Sequence, residues 1–163
     1  MKPPNRQSGL RVRKADLRYA VSVRRERGLR RKVSVASVRQ AVRRTLEHQA
    51  FHRSCSVSVF LAGEETLVAL NSRYRDVDRA TDVLSFAAGN TDPETGLFHL
   101  GEIVISLPRA ARQASARAHP LQREISLLAI HGTLHLLGHD HAKAAEKKRM
   151  WRAQREILKD LQD

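Results

Sequence analysis

The segment His131-Gly-Thr-Leu-His-Leu-Leu-Gly-His-Asp-His141 constrains this chain more than any other stretch. His131 and His135 stand four residues apart, just over one helical turn, so both imidazoles project from one face of a helix. Gly138 follows three residues later, and glycine readily enters the left-handed conformation that ends a helix. The chain can then double back and carry His141 towards the first two rings. Three neutral imidazoles on one side of an ion leave a fourth position open, which is the arrangement of a catalytic zinc site. Residues Leu121 to Leu137 are apolar nearly all round, so the helix that bears the first two histidines is expected at the centre of the molecule. Buried histidines need partners, and a metal is one.

Eight histidines in 163 residues make a single pair unremarkable. The full spacing, H-x3-H-x2-G-x2-H, is that of the ligands in metzincin peptidases. Those enzymes place Glu directly after the first histidine as general base, whereas here the position is Gly132. The ligands are present and the peptidase base is absent.

Charge divides the chain. Residues 1–53 hold 16 Lys and Arg against three Asp and Glu, and residues 54–163 hold 14 of each, so the whole net charge of +13 lies in the N-terminal third. Such a segment attracts polyanions and steers association with nucleic acid. No large apolar face accompanies the charge, which argues against a membrane surface. No apolar run is long enough for a membrane span or a secretion signal, and the single Cys55 fits a reducing cytoplasm.

Residues 1–17, with Pro3-Pro4 and Gly9, read as a disordered basic arm, and residues 18–163 as one domain. Tyr19–Val23 alternates like a short strand, and Val38, Val42 and Leu46 predict a helix with Ser37 as N-cap. Residues 55–62 form a second strand, with Cys55 as a core thiol. Gly63-Glu-Glu opens a helix with Leu67, Leu70 and Tyr74 on one face, ending near Asp76. Thr81–Phe86 and Gly101–Ser106 are strands, and the glycines, Asn90 and Asp92-Pro93 of residues 89–98 predict a mobile loop between them. Pro108 starts a helix to about Arg117. The last helix runs from Ala142 to Leu161, with Met150, Gln154, Ile157 and Leu161 inward. The sum is a single α/β domain.

Beyond the histidines, Asp140 can hold an imidazole in one tautomer, replace the missing base, or serve simply as a turn residue after Gly138. Arg75 suits phosphate, because guanidinium matches phosphate oxygens in a bidentate fork, although on the residues alone a helix-end arginine in solvent is the stronger reading. Asp82 and Ser85 are cleft-lining candidates. His139, two residues from His141, is expected to point away from the metal.

Four blocks now stand in order: Leu70-Asn-Ser-Arg-Tyr-Arg75, Thr81-Asp-Val-Leu-Ser-Phe86, Leu100-Gly-Glu-Ile103 and the histidine stretch with Leu136-Leu-Gly138. Together they resemble the YbeY family of bacterial rRNA maturation factors, metal-dependent endoribonucleases, over residues 19–161. The resemblance implies one zinc ion on His131, His135 and His141, and a role for Arg75 in binding or cleaving RNA. It implies single-stranded rRNA as substrate, in maturation of the 16S rRNA 3′ end and in ribosome quality control. It also implies the small ribosomal subunit, one of its proteins and the GTPase Era as partners. The implied fold is a four-stranded, mostly parallel mixed sheet with helices packed around it. Three positions depart from the family pattern: His139 replaces Tyr, Glu102 replaces Asp, and Ala87 replaces Pro.

Two other readings remain beside the ribonuclease. A peptidase is favoured only by ligand spacing. A non-catalytic ribosome-assembly factor would use the metal as a clamp and the basic third for binding. RNA suits the absence of Glu better than a peptide does, since its own 2′-hydroxyl or a water can attack phosphorus while the metal and Arg75 stabilise charge.

Overall fold

The computed structural model describes residues 18–75 and 81–162, and the basic arm of residues 1–17 lies outside them. Four strands and five helices follow in the order β1 (Tyr19–Arg25), α1 (Val35–His48), β2 (Cys55–Ala62), α2 (Glu64–Arg75), β3 (Val83–Thr91), β4 (Phe98–Ser106), α3 (Leu107–Ala116), α4 (Leu121–Leu136) and α5 (Ala144–Gln162). The sheet order is β1-β2-β4-β3. β1 and β4 run parallel to β2, and β3 pairs antiparallel with β4. The expected mostly parallel mixed sheet is therefore observed.

Side-chain alternation gives the sheet two unlike faces. Tyr19, Val21, Cys55, Val57, Val59, Leu61, Ile103 and Ile105 turn to one side. There they pack with Val38, Val42 and Leu46 of α1 and Ile125, Ala129, Ile130 and Leu134 of α4, and Met150 and Ile157 of α5 close the same core. Helix α4 is buried along most of its length, as its composition requires. Glu124 in its first turn is fully buried and accepts from Arg117 Nη1 at 2.8 Å. The other face is only partly covered. A small cluster of Ala62, Leu67, Leu84 and Val104 lies there, with Phe60, Leu70 and Phe86 half-buried against it.

Several expectations are corrected. The N-cap of α1 is Ser34, whose side chain accepts from the Ser37 N–H, so Ser37 lies inside the helix. Residues 89–98 are not loop throughout: β3 continues to Thr91, and a bulge between Ala87 and Asn90 absorbs Gly89. The reversal is confined to a tight turn closed by Asp92 N–H to Leu97 O at 2.9 Å and Gly96 N–H to Asp92 O at 2.8 Å. Tyr74, expected on the face of Leu67 and Leu70, is exposed. Asp76, the expected end of α2, lies outside the described residues.

Candidate metal centre

Helix α4 ends as the glycine predicts. Gly138 has φ 93°, its N–H donates to His135 O, and the His139 N–H reaches back to Leu134 O, both at 3.0 Å. This pairing satisfies the last carbonyls of the helix and reverses the chain. His141 is thereby folded over His131 and His135, with ring centroids 5.7 and 5.0 Å away.

One ligand nitrogen from each of the three histidines lies within 4.8 Å of the other two. The Nε2 atoms of His131 and His135 are 3.0 Å apart. Zinc–nitrogen bonds of about 2.0–2.1 Å in a tetrahedral site put ligand nitrogens roughly 3.4 Å apart, so the buried pair is close to that spacing. Gln154 of α5 sets the tautomer: His131 Nδ1–H donates to its Oε1 at 2.5 Å, which turns the lone pair of Nε2 inward. Burial pulls the His135 pKa down to about 4, with His131 and His141 adding to the effect. Burial lowers His131 as well, against the opposing effect of its hydrogen bond to Gln154. The neutral imidazole is the form that binds metal. By donor type and spacing, by the His131 tautomer, and by the lowered pKa values of His131 and His135, these residues fit a zinc-type ion.

The centre opens into a cleft of about 650 Å³ lined by the three histidines, Asp82, Ser85 and Asp140. Ser85 Oγ donates to Gly132 O at 3.0 Å and ties β3 to α4. Gly132 explains the missing peptidase base. A Cβ there would stand 2.7 Å from Ile103 Cγ2 and 3.1 Å from Ser85 Oγ. The side of α4 at Gly132 is pressed onto the sheet, so a glutamate has no room.

The remaining site candidates divide. Asp140 Oδ1 accepts from the His141 N–H at 2.7 Å and is 4.0 Å from His141 Nδ1, so its carboxylate orders the turn without a hydrogen bond to that ring. Arg75 is the last residue of α2, and its side chain lies outside those described. Asp82 accepts from Gln113 Nε2 at 3.3 Å, on the cleft wall. His139 points away from the triad, as expected, and donates Nε2–H to Gln49 Oε1 at 2.7 Å. Gln49 Nε2 in turn meets His48 Nδ1 at 3.0 Å, and His48 Nε2 meets Glu156 at 2.9 Å. This chain of hydrogen bonds ties the metal-loop turn to α1 and α5. Sequence reasoning placed Gln154 on the inner stripe of α5 without seeing it as a histidine partner, and it missed Gln49 altogether.

Three open imidazoles beneath a mixed α/β sheet define a candidate mononuclear metal enzyme. Residues 22–162 match the family described as endoribonuclease YbeY. The endoribonuclease YbeY of Shouchella clausii is 45% identical over 132 residues, spanning 73% of this chain and 82% of that one. That of Pelotomaculum thermopropionicum is 42% identical over 122 residues, covering 73% and 80%. A Dehalococcoides mccartyi homologue is 35% identical over 143 residues, covering 80% and 89%. The solution structure of TM1509 from Thermotoga maritima shares the fold, with TM-score 0.56, 24% identity and coverage of 86% and 88%. The chain belongs to the YbeY endoribonuclease family. Among the described residues no helix is long and apolar enough to cross a membrane.

Proposed function

We propose that this protein is a zinc-dependent endoribonuclease that cuts single-stranded RNA in the cleft above His131, His135 and His141. The observation that carries the reading is the preformed triad of imidazoles, in a family of endoribonucleases, at a position where Gly132 leaves no space for a peptidase base. When bound, the ion supplies Lewis acidity towards a phosphodiester oxygen. Gln154 holds the His131 proton at Nδ1, and Asp140 orders the turn that presents His141. Arg75, at the end of α2, is proposed as the phosphate-binding cation, since a guanidinium stabilises negative charge developing on phosphorus. The proposed substrate is the 3′ end of 16S rRNA, with a further part in ribosome quality control. The proposed setting is the cytoplasm, on the small ribosomal subunit, alongside one of its proteins and the GTPase Era. Residues 1–17 are proposed as an RNA-binding arm on a nuclease domain of residues 18–163.

The test is incubation of metal-loaded protein with an rRNA 3′ fragment and with casein. Expected are RNA cleavage lost in folded His135→Ala, cleavage strongly reduced in Arg75→Ala, and intact casein. Binding to ribosomal particles without any RNA cleavage would replace this reading by the assembly-factor one.

A further inference from the structure

The open face of the sheet carries a second groove, of about 430 Å³, distinct from the histidine cleft. Its walls are Phe60 of β2, Phe86 of β3 and Tyr74 of α2, with Arg24, Ser58 and Glu102 among the polar lining. Strand register explains the grouping. Arg24 pairs with Phe60, while Ser58 and Phe86 flank Glu102, so two adjacent rows cross the sheet from the β1 edge to the β3 edge. Tyr74 is 58% exposed and meets Phe86 edge-on at 5.4 Å between centroids. Guanidinium groups lie over two of the rings, Arg24 at 5.5 Å from Phe60 and Arg73 at 5.4 Å from Tyr74. Folding alone gives no reason to leave these rings, with their cations, on an open face.

The groove and the cleft share an edge strand. Ser85 and Ala87 line the cleft, and Phe86 between them lines the groove. β3 ends the sheet, so an extended polymer can cross it from one side to the other. We propose that the groove is a nucleobase-stacking subsite for single-stranded RNA, holding bases that flank the phosphodiester in the histidine cleft. This rests on the ribonuclease reading of that cleft. Aromatic faces stack any base. Arg24 and Arg73 offer charge to the sugar-phosphate backbone, and Arg24 belongs to the basic third of the chain. The Glu102 carboxylate repels phosphate but accepts from the exocyclic amino groups of bases, which orients bases inward.

The test uses the full chain with zinc and a single-stranded octamer that is 2′-O-methylated against cleavage and carries 2-aminopurine. Binding is expected to quench the fluorophore by stacking. Phe60→Leu and Tyr74→Leu, which keep apolar bulk, should each raise Kd about tenfold and weaken the quench. Tyr74 is exposed, so its replacement leaves folding intact. Wild-type Kd and quench in both variants would overturn the proposal, and RNA binding with no quench at all would overturn it in favour of a protein occupant. Cleavage of the unmodified octamer is followed in parallel. Its absence in the wild type defeats the ribonuclease reading of the cleft, whereas an unchanged Kd in the two variants defeats the groove alone.

Discussion

Substituting Gly132 by Ala sets two effects of opposite sign against each other. Alanine is favoured over glycine inside a helix by about 1 kcal/mol, and Gly132 lies well within α4. The added Cβ, however, would sit 2.7 and 3.2 Å from the γ-carbons of Ile103. Carbon atoms prefer separations of about 3.5–4.0 Å, so α4 must lift from β4 or Ile103 must leave its rotamer. Ile103 is fully buried and has nowhere to go. Overpacking of this kind costs roughly 1–3 kcal/mol. The net expectation is destabilisation by about 1 kcal/mol for Gly132→Ala, and by more than about 3 kcal/mol for Gly132→Glu, which adds a buried carboxylate. Urea unfolding followed by far-ultraviolet circular dichroism reads the midpoint. Ile103→Ala removes both γ-carbons and should cost less in the Gly132→Ala background than in the wild type, since the two sites are in contact. A Gly132→Ala protein more stable than wild type would show that helix propensity governs the position and would refute the packing argument. The same refutation would reopen the peptidase reading, because a glutamate would then fit.

Other predictions follow from single contacts. Gln154→Leu leaves His131 Nδ1 without its acceptor and should weaken zinc affinity about 10- to 100-fold, measured by competition with a chromophoric chelator; unchanged affinity would remove Gln154 from the site. Cys55 is buried and its thiol is pushed up to about 11, so it should resist thiol reagents at pH 8 until urea unfolds the chain, and fast native labelling would contradict its placement. The metal-free protein should lose stability as pH falls from 6.5 towards 4, because His135 protonates near 6.5 when unfolded and only near 4 when folded, so the unfolded chain takes up protons first. Urea midpoints at pH 7.5 and 5.0 in chelator test this; a difference that does not shrink in His135→Gln would assign the effect elsewhere.

The sequence disclosed the centre of the site better than its support. Four-residue spacing and a helix-ending glycine are local properties, and both took effect as local chemistry dictates at His131, His135 and Gly138. The reason for Gly132 is not local. It depends on Ile103, 29 positions earlier in the chain, and only the packing of α4 on β4 reveals it. Gln154 and Gln49 likewise act across elements, where periodicity says only that a face is inward. The β3–β4 hairpin went unseen because Gly89, Asn90, Asp92 and Gly96 are all turn formers, and a bulge hides one of them within a strand. Tyr74 shared a helical face with Leu67 and Leu70, yet it meets only the edge of Phe86 and stays exposed, which helical spacing does not reveal. The alternation of the strands, by contrast, was legible, since β1 and β2 each bury one face from their first residue.

The central claim is that the three histidines hold the ion that makes this chain cut RNA. The most direct measurement is the cleavage rate of a single-stranded RNA as zinc is titrated into chelator-stripped protein. The rate should be negligible without metal, rise to a plateau at one zinc per chain, and remain negligible in His135→Ala at every zinc concentration. Full cleavage by the stripped protein, or a zinc response in His135→Ala equal to that of the wild type, would contradict it.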